Sequence, residues 1–139
     1  MTFARSFTAR PADIDELGHV NNAVWVRWVQ EIALAHWAAV APAADQDRYV
    51  WVVIRHEIDY RGNLSVGAAV VAETWVGEPR GARFDRFVRF AKDGRTLVEA
   101  RTTLAPIERA SGRLVRITPE LAAPFLGDKA RDAETPPTG

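Results

Sequence analysis

Apolar residues dominate one long segment near the N-terminus, where they recur at helical spacing. In residues 23–40, "AVWVRWVQEIALAHWAAV", the polar residues Arg27, Gln30 and Glu31 form one narrow stripe, and apolar residues fill most of the remaining circumference. Arg27 and Glu31 are four residues apart, a spacing that favours pairing of their side chains. The pattern predicts one helix, ended by Pro42, that needs protein around most of its sides.

From residue 49 onward, the period of the pattern changes to two. In residues 49–61, "YVWVVIRHEIDYR", charged residues alternate on one face, and the other face carries Val50, Val52, Ile54, His56, Ile58 and Tyr60. Similar patterns predict strands over residues 68–76, 83–91 and 96–107, and "TFARSF" near the N-terminus predicts one more. The Asp–Gly pair in "KDGR" is typical of a tight hairpin.

This order of elements predicts an α+β fold in which a curved antiparallel sheet of about five strands wraps around one long central helix. We expect the four strands after the helix to form a meander and a single domain to cover residues 1–127. The polar, Pro-rich and Gly-rich residues 128–139 predict a disordered tail. Long edge strands need covering, and pairing with a second copy is the simplest solution.

Composition narrows the functional classes. Apolar residues make up 47% and charged residues 26% of the 139 residues, as in a folded globular protein. Lys plus Arg and Asp plus Glu number 18 each, and this balance argues against a general nucleic-acid binder and is compatible with self-association. The chain has no cysteine, which excludes disulfides, thiolate metal sites and a cysteine nucleophile. Without a membrane-length apolar stretch or a signal-peptide core, we expect a cytoplasmic protein.

Candidate chemistry lies in the loop before the helix, residues 13–22, "DIDELGHVNN". Asp15 precedes Gly18, which permits a sharp turn, and either Asn21 or Asn22 is suited to cap the helix. The first turn of a helix has backbone N–H groups without partners, and these stabilise a carbonyl oxygen that develops negative charge. Because a carboxylate beside such donors can attack an acyl carbon or activate water, the loop predicts a small hydrolytic site.

The run "DIDELGHVNNAVWVRWVQE" resembles the signature of the hotdog-fold thioesterases, in particular the 4-hydroxybenzoyl-CoA thioesterase and acyl-CoA thioester hydrolase group. Members of that group show an Asp-x-Asp-x-x-Gly-(His)-Val-x-(Asn) run that leads into the central helix. The order of strand, helix and four strands, and the stretch "VIRHEIDYRGNLSVG", resemble the same family. The resemblance implies the hotdog fold and hydrolysis of an acyl thioester.

Position by position, the resemblance gives Asp15 the role of the catalytic carboxylate, as nucleophile or general base. It places Asn22 where the family uses a backbone N–H to polarise the thioester carbonyl. His19 matches a His of many members, including the plant acyl-ACP thioesterases, and a catalytic and a loop-fixing role are both open for it. Those plant enzymes have an Asn where this chain has Leu17, so their full catalytic set does not carry over. The 4-hydroxybenzoyl-CoA enzymes differ at His19, so the substrate does not carry over either.

Other polar residues have simpler interpretations. We expect Asp13 to shape the turn, His36 to be packed or hydrogen-bonded within the helix, and His56 to be a satisfied buried histidine. Another branch of hotdog thioesterases uses a helix Glu as its catalytic acid, but Glu31 has Arg27 as a helix partner.

Three arginines of the third strand after the helix do not converge on one ligand. Strand alternation places Arg83 and Arg89 on one face and Arg86 on the other. With Asp85 between Arg83 and Arg89, we expect a solvated strand face, and the residues that hold the coenzyme A phosphates stay unassigned.

The expected function is an acyl-CoA thioesterase that releases a free acid and coenzyme A. It needs no metal and no cofactor, since coenzyme A is part of the substrate and a thiolate leaves without much help. We assign Asn21 and Trp25 to substrate binding, with the acyl chain between helix and sheet near a dimer interface. The expected assembly is a homodimer or homotetramer without nucleic-acid partners or membrane insertion. The alternatives are an acyl-ACP thioesterase and a non-catalytic acyl-CoA-binding hotdog protein.

Overall fold

A computed structural model describes residues 2–126, and the predicted tail over 128–139 lies outside the described residues. The strands are β1 (Phe3–Thr8), β2 (Tyr49–Tyr60), β3 (Ala69–Val76), β4 (Phe84–Lys92), β5 (Arg95–Glu108) and β6 (Arg113–Leu114). The helices are α1 (Asn22–Val40), α2 (Ala43–Arg48) and α3 (Pro119–Leu126). The predicted α+β hotdog architecture is confirmed, and the ends of α1 and of the five long strands lie within one residue of the predicted ends.

The strand order is β1-β3-β4-β5-β2, and every pair is antiparallel. The predicted meander is wrong for β2, which pairs with β5 and not with β3. The place beside β3 is taken by β1, in which Phe3 lies opposite Thr74, so residues 61–68 cross from one side of the sheet to the other. Strands β3, β4 and β5 do form a meander, and Asp93 and Gly94 have φ angles of 52° and 76° in the predicted tight turn.

Helix α1 packs its aromatic residues against the inner face of the sheet. Trp25 meets Phe90 edge-on at 5.1 Å between ring centroids, and Trp28 stacks on Phe7 at 5.2 Å. The predicted pair Arg27–Glu31 forms, with 3.6 Å between nitrogen and oxygen. The expectation that protein covers most of α1 holds for one face only, because Leu34 on another face is 66% exposed. A single copy therefore leaves apolar helix surface in contact with water.

A β-bulge in β2 corrects the predicted face assignment. The register shifts between Val53 and Arg55, so Val53 lies opposite Leu104 while His56 lies opposite Thr102. Pairing places side chains of opposed residues on the same face of a sheet. Val53 therefore shares the inner face with His56, and Val50 and Val52, predicted to lie on the same face as His56, do not. The unbroken alternation failed because the extra residue at the bulge reverses the phase.

Helix α1 is the predicted long central helix, and α2 and α3 follow as short helices that the pattern did not predict. In α3, Phe125 is buried and stacks on Trp37 of α1 at 5.4 Å between ring centroids. The start of α3 carries a recognisable signal, since the N–H of Leu121 donates to the Thr118 Oγ1 at 3.2 Å and Pro119 occupies the first helical position. Strand β6 is a two-residue extension on β5, too short for a sequence pattern.

The predicted solvated face of β4 is corrected at Asp85. This carboxylate is buried and accepts hydrogen bonds from Arg101 at 2.7 Å, Thr103 at 2.8 Å and Arg80 at 3.3 Å. The two guanidinium groups come from outside β4, which the alternation along β4 alone does not reveal. Arg89 is paired with Glu73, as expected of a residue on a solvated face.

Candidate active site

The loop between β1 and α1 closes on itself through backbone hydrogen bonds. A single 3₁₀ turn over Pro11–Asp13 is followed by a bridge between Ile14 and Val20. Inside that bridge, the N–H of Asp15 donates to the His19 carbonyl at 2.8 Å. Gly18 makes the turn with a φ of 78°, which confirms its predicted role. The loop therefore holds Asp15 in a fixed place ahead of the helix.

The Asp15 carboxylate is oriented by two backbone donors. Its Oδ1 accepts from the N–H of Leu17 at 2.9 Å and from the N–H of His19 at 3.3 Å. Asp15 is half-buried, whereas the His19 residue itself is exposed. Backbone groups of His19 thus help to shape the loop, which leaves its imidazole available for another contact.

The start of α1 follows directly. Asn21 caps the helix, because its Oδ1 accepts from the N–H of Ala23 at 2.9 Å, and Asn22 is the first helical residue. The N–H of Asn22 belongs to the end groups that have no partner within a helix. Of the two asparagines proposed as the cap, Asn21 supplies the side chain and Asn22 begins the helix. The positive end of the helix dipole lies at this position.

Asp13 is a structural residue, as expected. It is buried, and its carboxylate accepts from the N–H of Arg10 at 2.9 Å and from the Arg27 guanidinium at 2.9 Å. The hydrogen bond from the Arg10 backbone, assisted by the bond and charge of Arg27, lowers the pKa of the Asp13 carboxyl. Asp13 therefore stays charged and ties the loop to α1.

Two residues that sequence reasoning missed fix the far side of the loop. The side chain of Asn63 accepts from the N–H of Val20 at 2.9 Å, across 43 positions of sequence. The hydroxyl of Tyr60 donates to the carbonyl of Asn22 at 3.4 Å, and burial raises the pKa of that tyrosine. The only signal for Asn63 was its place in the turn "GNLSVG", which does not reveal a distant partner.

The structure brings four of the predicted site residues together, Asp15, His19, Asn21 and Asn22, on one loop and helix start. Trp25 lies one turn further along α1, fully buried in the core. Its assignment to substrate binding stays a prediction.

A separate cavity of about 290 Å³ lies beside the second half of α1. It is bounded by α1, by β2, β4 and β5 of the sheet, and by Phe125 of α3. Its wall residues include Val29, Trp37, Trp51, His56, Phe84 and Arg86. Val29 comes seven residues after Asn22, so the cavity begins about 10 Å along the helix axis from the candidate site.

The two other histidines of the sequence analysis are hydrogen-bonded, as expected. His36 is buried, and its Nδ1 accepts from the Arg86 guanidinium at 3.0 Å. Nδ1 of His56 lies 2.8 Å from the Thr102 hydroxyl, and partial burial lowers the pKa of the imidazole. His56 is half-buried and not fully buried, because its side chain faces the cavity.

Within residues 2–126, no group of three or more His, Asp or Glu side chains could hold a metal ion. Within the same residues, no helix has the length and the apolar character needed to cross a membrane. The chemical groups on the loop are thus a carboxylate, an imidazole and the backbone donors of a helix start. Such a set can polarise a carbonyl and deliver water or a carboxylate to its carbon.

Comparisons with known proteins agree with this arrangement. Residues 9–125 match the model of the thioesterase-like superfamily, and no curated protein matches the chain. A predicted thioesterase from Bacillus stearothermophilus is similar in structure, with 21% identity, a TM-score of 0.77, and coverage of 87% of this chain and 91% of that one.

Two further solved structures share the fold. A DHNA-CoA thioesterase from Staphylococcus aureus has 15% identity and a TM-score of 0.82, and the match covers 99% of this chain and 97% of that chain. An acyl-ACP thioesterase from Bacteroides thetaiotaomicron has 23% identity and a TM-score of 0.74, over 82% of this chain and 49% of that chain. At these identities the structures establish the fold, and the family match over most of the sequence establishes that the chain belongs to the thioesterase-like superfamily, as a hotdog-fold thioester hydrolase.

Proposed function

We propose that the protein is an acyl-CoA thioesterase, which uses water to split an acyl-CoA into a free acid and coenzyme A. One observation carries the proposal: the Asp15 carboxylate is held by backbone hydrogen bonds on the loop that ends at the capped start of α1. The family supplies the reaction class. The sequence around Asp15 resembles that of the acyl-CoA thioester hydrolases, and this resemblance is the reason for proposing coenzyme A as the carrier.

In this proposal the thioester carbonyl lies at the start of α1. The N–H of Asn22 donates to the carbonyl oxygen, and the helix dipole adds to the stabilisation as negative charge develops there. The leaving thiolate needs little help, because a thiol has a pKa of about 8.5. The water supplies a hydroxyl to the acyl carbon and a proton that ends on the thiol.

Asp15 has two ways to act. As a general base it takes a proton from water while the water attacks the acyl carbon. As a nucleophile it forms a mixed anhydride that water then splits. After a single turnover in water labelled with oxygen-18, label in the Asp15 carboxyl identifies the anhydride route, because general-base attack places the label only in the acid product.

His19, Asn21 and Trp25 have supporting roles in this proposal. The exposed imidazole of His19 is adjacent in the loop to Asp15 and assists proton transfer to or from water. Asn21 holds the helix start through its bond to Ala23, next to the thioester. Trp25 shapes the inner end of the site from the core. No further cofactor is proposed.

We further propose a homodimer, or a tetramer built from such dimers. Strand β2 is an edge strand with exposed Val50, Val53 and Ile54, and the neighbouring face of α1 exposes Leu34. Exposed apolar residues along an open edge favour pairing with another chain. A second copy laid along β2 also covers the helix face that one copy leaves open.

The proposal predicts thiol release from acyl-CoA esters by the purified protein. Wild-type protein is incubated with a panel of acyl-CoA esters and, in parallel, with the same acyl groups on acyl carrier protein, and free thiol is titrated. We expect turnover of at least one acyl-CoA and a lower kcat/KM on the carrier protein.

A higher kcat/KM on acyl carrier protein than on coenzyme A supports the second candidate, an acyl-ACP thioesterase. The similar fold of the Bacteroides thetaiotaomicron acyl-ACP thioesterase is the reason to test it. Tight binding of acyl-CoA without thiol release contradicts an enzyme and supports a binding protein.

A further inference from the structure

The inner face of the sheet carries an unexpected row of polar side chains. Arg86 on β4 lies opposite Thr102 on β5, and Thr102 lies opposite His56 on β2. Because opposed residues share a face, the three side chains form one row across adjacent strands. All three line the cavity of about 290 Å³. The residues beside them on the inner face, such as Phe84 and Leu104, are apolar.

Arg86 is a buried cation without a buried anion. It is only 2% exposed, and its Nη1 donates to Nδ1 of His36 at 3.0 Å and to the Thr74 hydroxyl at 2.9 Å. Both acceptors are uncharged, since burial and then the charge of Arg86 lower the pKa of His36 to about 3. Burial lowers the pKa of Arg86 to about 10, which leaves it protonated at neutral pH.

The hydrogen-bonding capacity of Arg86 is incomplete. Among residues 2–126, its Nε has no hydrogen-bond partner and no carboxylate forms an ion pair with it. The adjacent carboxylate, Asp85, is engaged by Arg80 and Arg101. The ring of Phe125, 5.5 Å from the guanidinium carbon, adds only a cation–π contact. An unpaired buried charge is strongly destabilising, so a charge partner at this place is favourable.

We propose that the cavity receives the acyl group of a thioester whose far end carries a carboxylate, and that this carboxylate pairs with Arg86. The inference rests on the proposed function and names its substrate class. The Thr102 hydroxyl and the His56 imidazole are the neighbouring polar groups of the row. The aromatic walls, Trp37, Trp51 and Phe84, hold the methylene part of the chain.

The length of the acyl group follows from two distances along the fold. The cavity begins about 10 Å along α1 from Asn22. On the sheet side, the Tyr60 hydroxyl contacts Asn22, and His56 comes four residues earlier on β2, about 13 Å away. Three bonds of an extended chain span about 3.5 Å, so roughly nine to eleven bonds bridge these distances of about 10 and 13 Å. A ten-carbon dicarboxylic acid attached to coenzyme A through one end has this length.

Arg109 also lines the cavity, but it is exposed, so water satisfies its charge. The need for an anion is therefore specific to Arg86. Most other arginines with a side-chain partner form an ion pair with a carboxylate. These are Arg10, Arg27, Arg48, Arg55, Arg61, Arg80, Arg89 and Arg101.

The test compares decanedioyl-CoA, esterified at one end, with decanoyl-CoA, which has the same length and no far carboxylate. For wild-type protein we expect kcat/KM to be at least about tenfold higher for decanedioyl-CoA. In Arg86→Met this preference falls at least about tenfold, and Arg86→Lys retains part of it because the charge remains. The matched control is Arg89→Met, on the outer face of the same strand, which leaves the preference unchanged.

A wild-type protein that prefers decanoyl-CoA, or an equal preference in Arg86→Met and Arg89→Met, overturns the inference while leaving the thioesterase proposal in place. If Arg86→Met does not fold, the test relies on the ratio of kcat/KM for the two esters, measured in wild-type protein and in Arg86→Lys. If neither ester and no other acyl-CoA of the panel releases thiol, the proposed function is contradicted, and a binding measurement tests the cavity: free decanedioate is expected to raise the Tm of wild-type protein more than decanoate does. An equal or smaller rise overturns the inference as well.

Discussion

Two aspartates, two positions apart on one loop, show how surroundings divide roles between identical side chains. Asp13 is buried and satisfied by Arg10 and Arg27, so its carboxylate is committed to holding the loop on α1. Asp15 is half-buried, and its two backbone donors orient the carboxyl without neutralising it. Of the two carboxylates, that of Asp15 is therefore the more accessible to solvent.

Sequence reasoning at this scale succeeded where the signal is local. The turn at Gly18 and the cap at Asn21 act within a few residues and can be read from residue type, while the catalytic role of Asp15 stays a prediction. The burial of Arg86 had a signal that was not used. Arg86 alternates with Phe84 and Val88, so the apolar phase of β4 includes an arginine. Its partner His36 lies 50 residues away, which no local pattern shows.

The pH dependence of stability tests the buried pair of His36 and Arg86. Unfolded His36 takes up a proton below about pH 6.5, whereas the folded form does so only near pH 3. The stability contributed by neutral His36 is thus fully present above pH 6.5 and is lost as the pH falls toward 3. Between pH 7 and 5 we expect wild type to lose about 2 kcal/mol more than His36→Gln.

Urea unfolding of both proteins at the two pH values, at one protein concentration, measures this difference. His19 and His56 are present in both proteins and serve as the internal control. Equal losses of unfolding free energy in wild type and variant would show that His36 does not titrate in this way.

At the scale of elements, hydrophobic periodicity located α1 and the five long strands. The helical and the strand period of side-chain positions are both set by backbone geometry, so each can be read from the sequence. The periodicity did not give the neighbour of β2, since the pairing of β2 with β5 joins strands far apart in the sequence, which the pattern within one strand does not show. It also missed α3, whose eight residues span about two turns, too few for a helical repeat to show. Phe125 of α3 nevertheless closes one wall of the cavity.

The exposed edge strand β2 gives a prediction about assembly. Ile54 is 44% exposed at the bulge, and a charge there disfavours pairing with a second copy. We expect Ile54→Lys to shift a dimer toward monomer by at least about tenfold in Kd, measured by sedimentation equilibrium. Val71→Lys is the matched control, because Val71 is 47% exposed but lies on the interior strand β3.

An unchanged association in Ile54→Lys would place the interface elsewhere. An equal weakening in both variants would instead indicate a general effect of the added charge.

At the scale of the whole molecule, the fold places two chemical environments along one helix. The start of α1 holds the carboxylate, the cap and the helix dipole, and the second half faces a largely apolar cavity with one buried cation. A thioester with an extended acyl group fits this division, because its carbonyl and its chain need different surroundings. The family match over residues 9–125 covers both parts.

The central claim is that Asp15 drives thioester hydrolysis, and thiol release by Asp15→Asn tests it most directly. The amide oxygen of Asn can still accept the hydrogen bonds from Leu17 and His19, so the loop is retained while the charge is removed. The matched control is Glu16→Gln, which removes the adjacent, exposed carboxylate of the same loop. We predict that Asp15→Asn lowers kcat on an acyl-CoA that wild type hydrolyses by at least about 100-fold, with unchanged Tm, while Glu16→Gln retains wild-type activity. Undiminished thiol release by a folded Asp15→Asn protein would contradict the account.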